Sequence, residues 1–244
     1  MLKRCILGEW MKLRHSRIWM ILLPLPVMSV LIGCANFYMN RAALQSEWYS
    51  LWSQVSLFYG EFFFPILIAI CCAYMCRLEH FNKNWNMVMT APVPTGCIFL
   101  AKLAVVGILL VLTQGFFFLL YFCGGKLMGL SSALPMELPG WLFRGWVAAL
   151  AISAFQLALS VRVRSFATPI GIGLCASFLG LGMYVLHLGM LFPHALLTIG
   201  MGVLSQTGLA SAGNHLLFFT MCLMYIAIIS LAAIHRMRKS DVNA

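Results

Sequence analysis

Six long apolar runs joined by short basic segments limit what this chain can fold into. They lie at about 18–39, 55–76, 97–122, 141–161, 169–188 and 215–234. Each is long enough, or nearly so, to cross a ~30 Å hydrocarbon core at ~1.5 Å of helix rise per residue. A soluble fold has nowhere to hide them, because 62% of the 244 residues are apolar and only 9% charged, against roughly a quarter charged in soluble domains. Lipid offers the backbone no hydrogen bonds, so each run is expected to close its own as a helix. The expected fold class is all-α, a polytopic membrane protein of six transmembrane helices. The run at 18–39 is too long for the apolar part of a cleavable signal and no small-x-small site closes it, so it reads as a retained first span.

The formal net charge of +10 raises nucleic acid as a partner, but the distribution argues for membrane orientation. With the N-terminus inside, the inner segments hold Lys3, Arg4, Lys12, Arg14, Arg17, Arg77, Lys83, Lys102, Arg162, Arg164, Arg236, Arg238 and Lys239. Only Arg41, Lys126 and Arg144 fall outside. This positive-inside split predicts cytoplasmic N and C termini and no nucleic-acid partner. Trp48, Trp52, Trp141, Trp146, Tyr38 and Tyr49 cluster near the predicted outer interface, and Trp10, Trp19 and Trp85 near the inner one, as expected of ring systems with one wet edge.

Residues 1–17 are too polar to span. On a helix, Leu2, Ile6, Trp10 and Leu13 share one face while Arg4, Lys12 and His15 fall largely on another. This predicts an amphipathic helix in the inner interface, with a short basic tail as the alternative. Residues 235–244 read as a cytoplasmic tail. The outer connection 189–214 is apolar but broken by Pro193 and several glycines. A seventh span there would carry the basic C-terminus outside, so short interfacial or re-entrant helices are expected.

The inner connection 77–96 is long for a link between neighbouring spans. It is neither Gly/Ser-rich nor highly charged. It places Glu79, His80, Phe81, Lys83, Trp85, Met87 and Met89 on the wet side, ahead of Pro92 and Pro94, which stop any helix. Exposed aromatic and Met side chains in one short stretch suggest a partner surface. The competing reading is a loop folded back on the interface with Trp85 as a lipid anchor.

Within the spans, Glu61 is the one carboxylate in apolar sequence. Such a group is expensive in hydrocarbon unless protonated, paired or wet. It is a candidate for a path or polar seam together with Gln114, Ser153 and Gln156. The fourth span carries Gly145, Ala149, Ser153, Gln156 and Ser160 as a stripe, and the fifth Gly173, Ala176, Ser177 and Gly180. Small residues at this spacing allow close helix approach, either within the chain, at a dimer seam or along a path. Cys71, Cys72 and Cys76 read as small apolar residues rather than metal ligands. Cys34 and Cys123 both fall near the outer side, where a disulfide is an option. His187, His194 and His215 lack metal-ligand spacing and read as interfacial. No G-x-x-x-x-G-K-[ST] is present, since Gly125–Lys126 lacks the first Gly and the following Ser or Thr. The chain therefore has no P-loop of its own. No H-E-x-x-H or G-x-S-x-G appears either.

The order of parts resembles ABC-2-type transporter permeases. Glu9, Lys12, Arg14 and Ser16 resemble the E-x-x-K-x-[KR]-x-S opening of that family. Glu79, then Met89, Pro92, Val93 and Pro94, then Lys102 resemble its inner loop. Leu159, Ser160, Arg164, Ser165, Phe166, Pro169, Ile170 and Gly171 resemble the stretch before the fifth span. The end, from Arg236 to Val242, resembles an F-x-[RK]-x-D-V tail, with His235 near where an aromatic is often found. The chain looks most like permeases of lantibiotic immunity and antimicrobial-peptide export in the bacterial cytoplasmic membrane. The resemblance implies a transport subunit that is not itself an enzyme and binds no cofactor. A cytoplasmic ABC ATPase would bind ATP and Mg, and a second permease chain, the same or related, would complete the path. The loop 77–96 would seat on the ATPase, and 189–214 would cap the path. An amphipathic peptide is the implied substrate. Export of another lipophilic drug or lipid, and proton-coupled transport using Glu61, remain alternatives.

Overall fold

The computed structural model describes residues 1–14, 16–80, 84–131, 133–207, 209 and 211–239, without the side chains of Asn86 and Met89. Phe81, Lys83, the Met89 side chain and the last five residues of the expected tail thus lie outside the described residues. Among the described residues every regular element is a helix. Six are long and apolar enough to cross a membrane: Trp19–Met39, Glu47–His80, Thr95–Leu127, Leu138–Ser160, Ala167–Val185 and Ala212–Lys239.

Helix α1 (Leu2–Arg14) precedes the spans. The first span is a short turn, α2 (Trp19–Leu22), followed by α3 (Pro24–Met39); Pro24 has no N–H to continue the ladder across the join. The second is α4 (Glu47–Phe58), a π-helical turn (Tyr59–Phe63) and α5 (Phe64–His80). A short α6 (Asn84–Thr90) leads to α7 (Thr95–Leu127). Then come α8 (Leu138–Ser160), α9 (Ala167–Val185), a 3-10 turn (Gly189–Leu191), α10 (Pro193–Gly200) and α11 (Ala212–Lys239).

The second span begins well before the apolar run at 55–76. Glu47, Tyr49, Ser50 and Gln54 interrupt the hydropathy there, yet the helix continues because its other side is core. Trp48 and Trp52 are buried against Tyr121, Phe117 and Trp141. The Trp52 indole donates to the Met201 carbonyl at 3.0 Å, and Tyr121 donates to the Trp48 carbonyl at 2.8 Å. Trp48, Trp52 and Trp141 are therefore packing residues rather than lipid-interface anchors, which corrects the belt reading for them. Tyr38, Tyr49, Trp10 and Trp19 do keep exposed surface.

The second span is the most enclosed and the last the least. Phe178 and Leu179 on α9, and Leu216, Leu223 and Leu231 on α11, are exposed, as apolar residues facing lipid would be. The small-residue stripe of α8 points inward: Gly145, Ala149, Ser153, Gln156 and Ser160 are all buried within the chain. Gly173 of α9 sits on the Gln156 amide, and a Cβ at Gly180 would lie 2.8 Å from that of His194. Close intramolecular packing is thus the use made of both stripes.

Among its described residues the connection 189–214 contains no seventh span. Helix α10 is 8 residues long, about 12 Å at ~1.5 Å per residue. It is tucked against α8, α9 and the π turn, with Ala195, Leu196, Leu197 and Thr198 buried. At its exit Gly202 takes a φ of +60° beside the Trp141 indole, a conformation that favours glycine. Cys34 and Cys123 carry free thiols; it is Gly124 that faces Cys34, where a Cβ would lie 2.9 Å from the sulfur.

Candidate functional site

Both helical ends of the chain lie at the same end of the bundle. Gly96 at the start of α7 sits beside Ile234 near the end of α11, and His80 at the end of α5 donates from Nε2 to the Ser160 carbonyl at the end of α8, at 2.9 Å. Helix α1 lies against α7 there. Its buried side chains are Glu9 and Leu13, while Leu2 and Trp10 are exposed. The buried side is thus rotated from the expected apolar face, because Glu9 has charged partners in the interior.

Those partners form a closed cluster of two lysines and two glutamates. Lys102 Nζ is 2.9 Å from Glu9 and 2.6 Å from Glu79, and Lys12 Nζ is 2.6 Å from Glu9 and 2.8 Å from Glu79. Lys102 is 1% exposed, and its third donor reaches the Met75 carbonyl at 3.3 Å, so all three ammonium hydrogens are used. The Trp85 ring stands 5.7 Å from the same ammonium, with His80 edge-on to the indole. A cation over an indole face gains further electrostatic attraction. Charges balance, and each carboxylate bridges two cations, the arrangement that makes burial of ions tolerable. Burial pushes the Glu9 carboxyl up, but the ammonium groups of Lys102 and Lys12 outweigh it and hold the pKa below its usual value.

The cluster corrects one expectation directly. Trp85 is fully buried and Glu79 is 2% exposed, so neither forms part of an exposed surface. The exposed face of α6 belongs instead to Met87, 73% exposed, with Thr90 beside it. Pro92 is exposed in the bend that follows. Sequence reading singled out Glu9, Lys12, Glu79 and Lys102 separately; only the fold brings them together.

The other candidates are dispersed. Glu61 lies in the π turn, buried, with the Thr198 hydroxyl donating to its carboxylate and Oε1 without a hydrogen-bond partner. Gln114 on α7 faces Gly145, as Met201 does, with Nε2 unpartnered. Ser153 donates to the Ala149 carbonyl of its own helix at 2.7 Å. Gln156 is buried with both amide atoms unpartnered. His194, on the turn before Thr198, is buried with neither ring nitrogen bonded, whereas His187 is exposed and His215 half-buried. Sequence reading gave His194 no role inside the protein; the Pro193 helix start beside it was the available signal. Cys71, Cys72 and Cys76 are buried in α5, and Cys72 contacts the Ser153 carbonyl at 3.6 Å. Among the described residues no group of three or more His, Cys, Asp or Glu could hold a metal.

Residues 5–180, which include all four residues of the ion cluster, match the family described as ABC-2 family transporter protein. The chain belongs to the ABC-2 transporter family. No curated protein matches it as a relative. Family membership and six apolar helices make it a multi-pass membrane protein and a membrane component of an ABC exporter. In such systems ATP hydrolysis generally resides in a separate subunit.

Proposed function

We propose that this ABC-2 permease expels an amphipathic antimicrobial peptide, of the lantibiotic kind, from the bacterial cytoplasmic membrane. The observation that carries the coupling half of this reading is the ion cluster. It ties α1, α5 and α7 together, and Trp85 adds α6 through the Lys102 ammonium. A load applied to α6 by a cytoplasmic ATPase, which binds ATP and Mg, would pass into two spans at once. Met87 and Thr90 would meet that ATPase, in place of Glu79 and Trp85. Both termini would then lie in the cytoplasm, with α1 at the lipid interface, where its exposed Leu2, Leu7, Trp10 and Met11 suit acyl chains. A second permease chain, the same or related, would complete the path.

The substrate half rests on the interior. Apolar and amide-bearing side chains, with Glu61 as the one described buried carboxylate outside the ion cluster, suit a molecule apolar on one side and cationic on the other. Gln114 and Gln156 are the further polar groups that would face it on domain movement.

The test expresses the chain with its ATPase in peptide-sensitive cells. Resistance to a cationic lantibiotic is expected, and Met87→Asp should abolish it and ATPase co-purification while leaving membrane insertion normal. Resistance confined to a lipophilic drug would assign a different substrate, and a Met87→Asp variant that still recruits its ATPase and resists the peptide would refute the docking assignment.

A further inference from the structure

At the end of the bundle opposite the ion cluster, α9, the 3-10 turn, α10 and the start of α11 frame a pocket of about 490 Å³, within the ~300–1,000 Å³ of small-ligand sites. Tyr184, His187, Met190, Ile199, Ser205 and Asn214 line it. Among the described residues no carboxylate, ammonium or guanidinium does so. The side chains of Tyr184, His187, Ser205 and Asn214 form no hydrogen bond among the described residues. The turn that carries His187 is a Schellman closure of α9: the Leu188 N–H donates to the Met183 carbonyl at 2.9 Å and the His187 N–H to the Tyr184 carbonyl at 3.0 Å. It holds His187 at a φ of +60°, a conformation that glycine takes without strain and other residues resist. The backbone therefore does not call for histidine there; an imidazole in the pocket is what the position gains over glycine. Around the turn, Leu186, Leu188 and Leu191 are exposed. Ile199 is next in α10 to Thr198, whose hydroxyl donates to Glu61.

We propose that this pocket binds an uncharged stretch of the exported peptide. Four neutral hydrogen-bonding side chains beside Met190 and Ile199 suit a ligand segment that is polar without formal charge. The Asn214 carboxamide offers the same acceptor and donors as a peptide unit, and a Met side chain adapts to apolar groups of varied shape. The exposed leucines of the turn suit the apolar side of an amphipathic molecule at the membrane surface. A saccharide would want ring faces to stack on, and Tyr184 is the one phenol present. A metal ion would want a ligand cluster, and no group of three or more His, Cys, Asp or Glu is found among the described residues. For the identity of its ligand the site rests on the peptide-export reading. Through Ile199 and Thr198, occupancy would bear on the helix that holds Glu61.

The full chain with its ATPase in nanodiscs, probed with a cationic lantibiotic bearing a photoactivatable apolar side chain in its uncharged stretch, tests this. Labelling should map by mass spectrometry to 184–190 and 199–214, and unlabelled peptide should displace it. His187→Gly and Asn214→Leu should each weaken peptide binding by about two- to tenfold, the loss of one neutral hydrogen bond. Because glycine fits the φ of +60°, His187→Gly should do so without lowering the thermal midpoint; a histidine with only a structural role would give the reverse. Ile199→Trp, which fills the pocket, should suppress labelling. Gln45→Leu, in the exposed link between α3 and α4, should change nothing. Labelling confined to other segments, unchanged affinity in both His187→Gly and Asn214→Leu, or displacement by a neutral oligosaccharide but not by unlabelled peptide overturns the proposal. Export is scored separately in proteoliposomes. ATP-driven peptide movement without pocket labelling refutes the pocket alone, whereas pocket labelling without such movement upholds the pocket and refutes the export reading.

Discussion

Lys102→Met removes one corner of the buried cluster and leaves Glu9 and Glu79 with Lys12 as their only common cation. The lost contacts are the 2.9 Å and 2.6 Å ion pairs and the 3.3 Å bond to Met75. Removing one partner of a buried pair costs about 3–5 kcal/mol because the other charge stays buried without compensation. Lys12, whose side chain is 37% exposed, can swing to relieve part of this, so the lower half of that range applies. At about 1.4 kcal/mol per tenfold, opening of α1 away from α7 should become roughly 10²–10³ times more frequent. Amide hydrogen exchange in nanodiscs reads this directly, as a loss of protection over residues 2–14 with little change in the middle of α7. Adding Glu9→Gln and Glu79→Gln to Lys102→Met should recover about a tenfold or more of the protection, since the one charge left is Lys12, whose part-exposed ammonium can turn to solvent, and no carboxylate stays buried without compensation. Protection of α1 unchanged within about tenfold in Lys102→Met would show that the cluster does not hold α1 in place.

Three further outcomes follow from named contacts. Because Lys102 and Lys12 hold the Glu9 pKa below its usual 4.5, the stability it adds is present above pH 4.5 and lost as pH falls through the lower folded value; a spin label at position 7 should gain mobility only below about pH 4.5, and mobility gained near neutrality would contradict this. Gly33→Ala places a Cβ 2.5 Å from the Val55 backbone, so α3 and α4 must separate at a cost of about 1–3 kcal/mol, read as a lower thermal midpoint in detergent; an unchanged midpoint would deny the close approach. Glu61→Gln should fold normally and alter peptide resistance, whereas wild-type resistance in a well-expressed variant would leave Glu61 a structural role only.

The spans were legible because lipid demands long apolar helices, and hydropathy records that demand along the chain. Helix ends were less so. Residues 47–54 mix Trp with Glu, Ser and Gln, a pattern that reads as a connection unless one knows that Trp48 and Trp52 insert beneath Tyr121 and Trp141. The π turn at Tyr59–Phe63 leaves no periodicity to find. Each member of the ion cluster was visible as a charge in a family-like motif, but its partners lie 67 residues away for Lys12–Glu79 and 93 for Lys102–Glu9, beyond any local pattern. Trp85 was misread for the same reason. A Trp among Asn and Lys looks wet, and the buried ammonium that draws it inward sits on another helix.

Co-reconstitution of the permease with its ATPase in proteoliposomes tests the central claim most directly, by following a fluorescent cationic amphipathic peptide under two driving forces. Movement is predicted with hydrolysable ATP and both subunits present, and none with an imposed proton gradient in the absence of ATP. Peptide movement driven by the proton gradient through the permease alone would contradict the account and assign Glu61 to proton coupling instead.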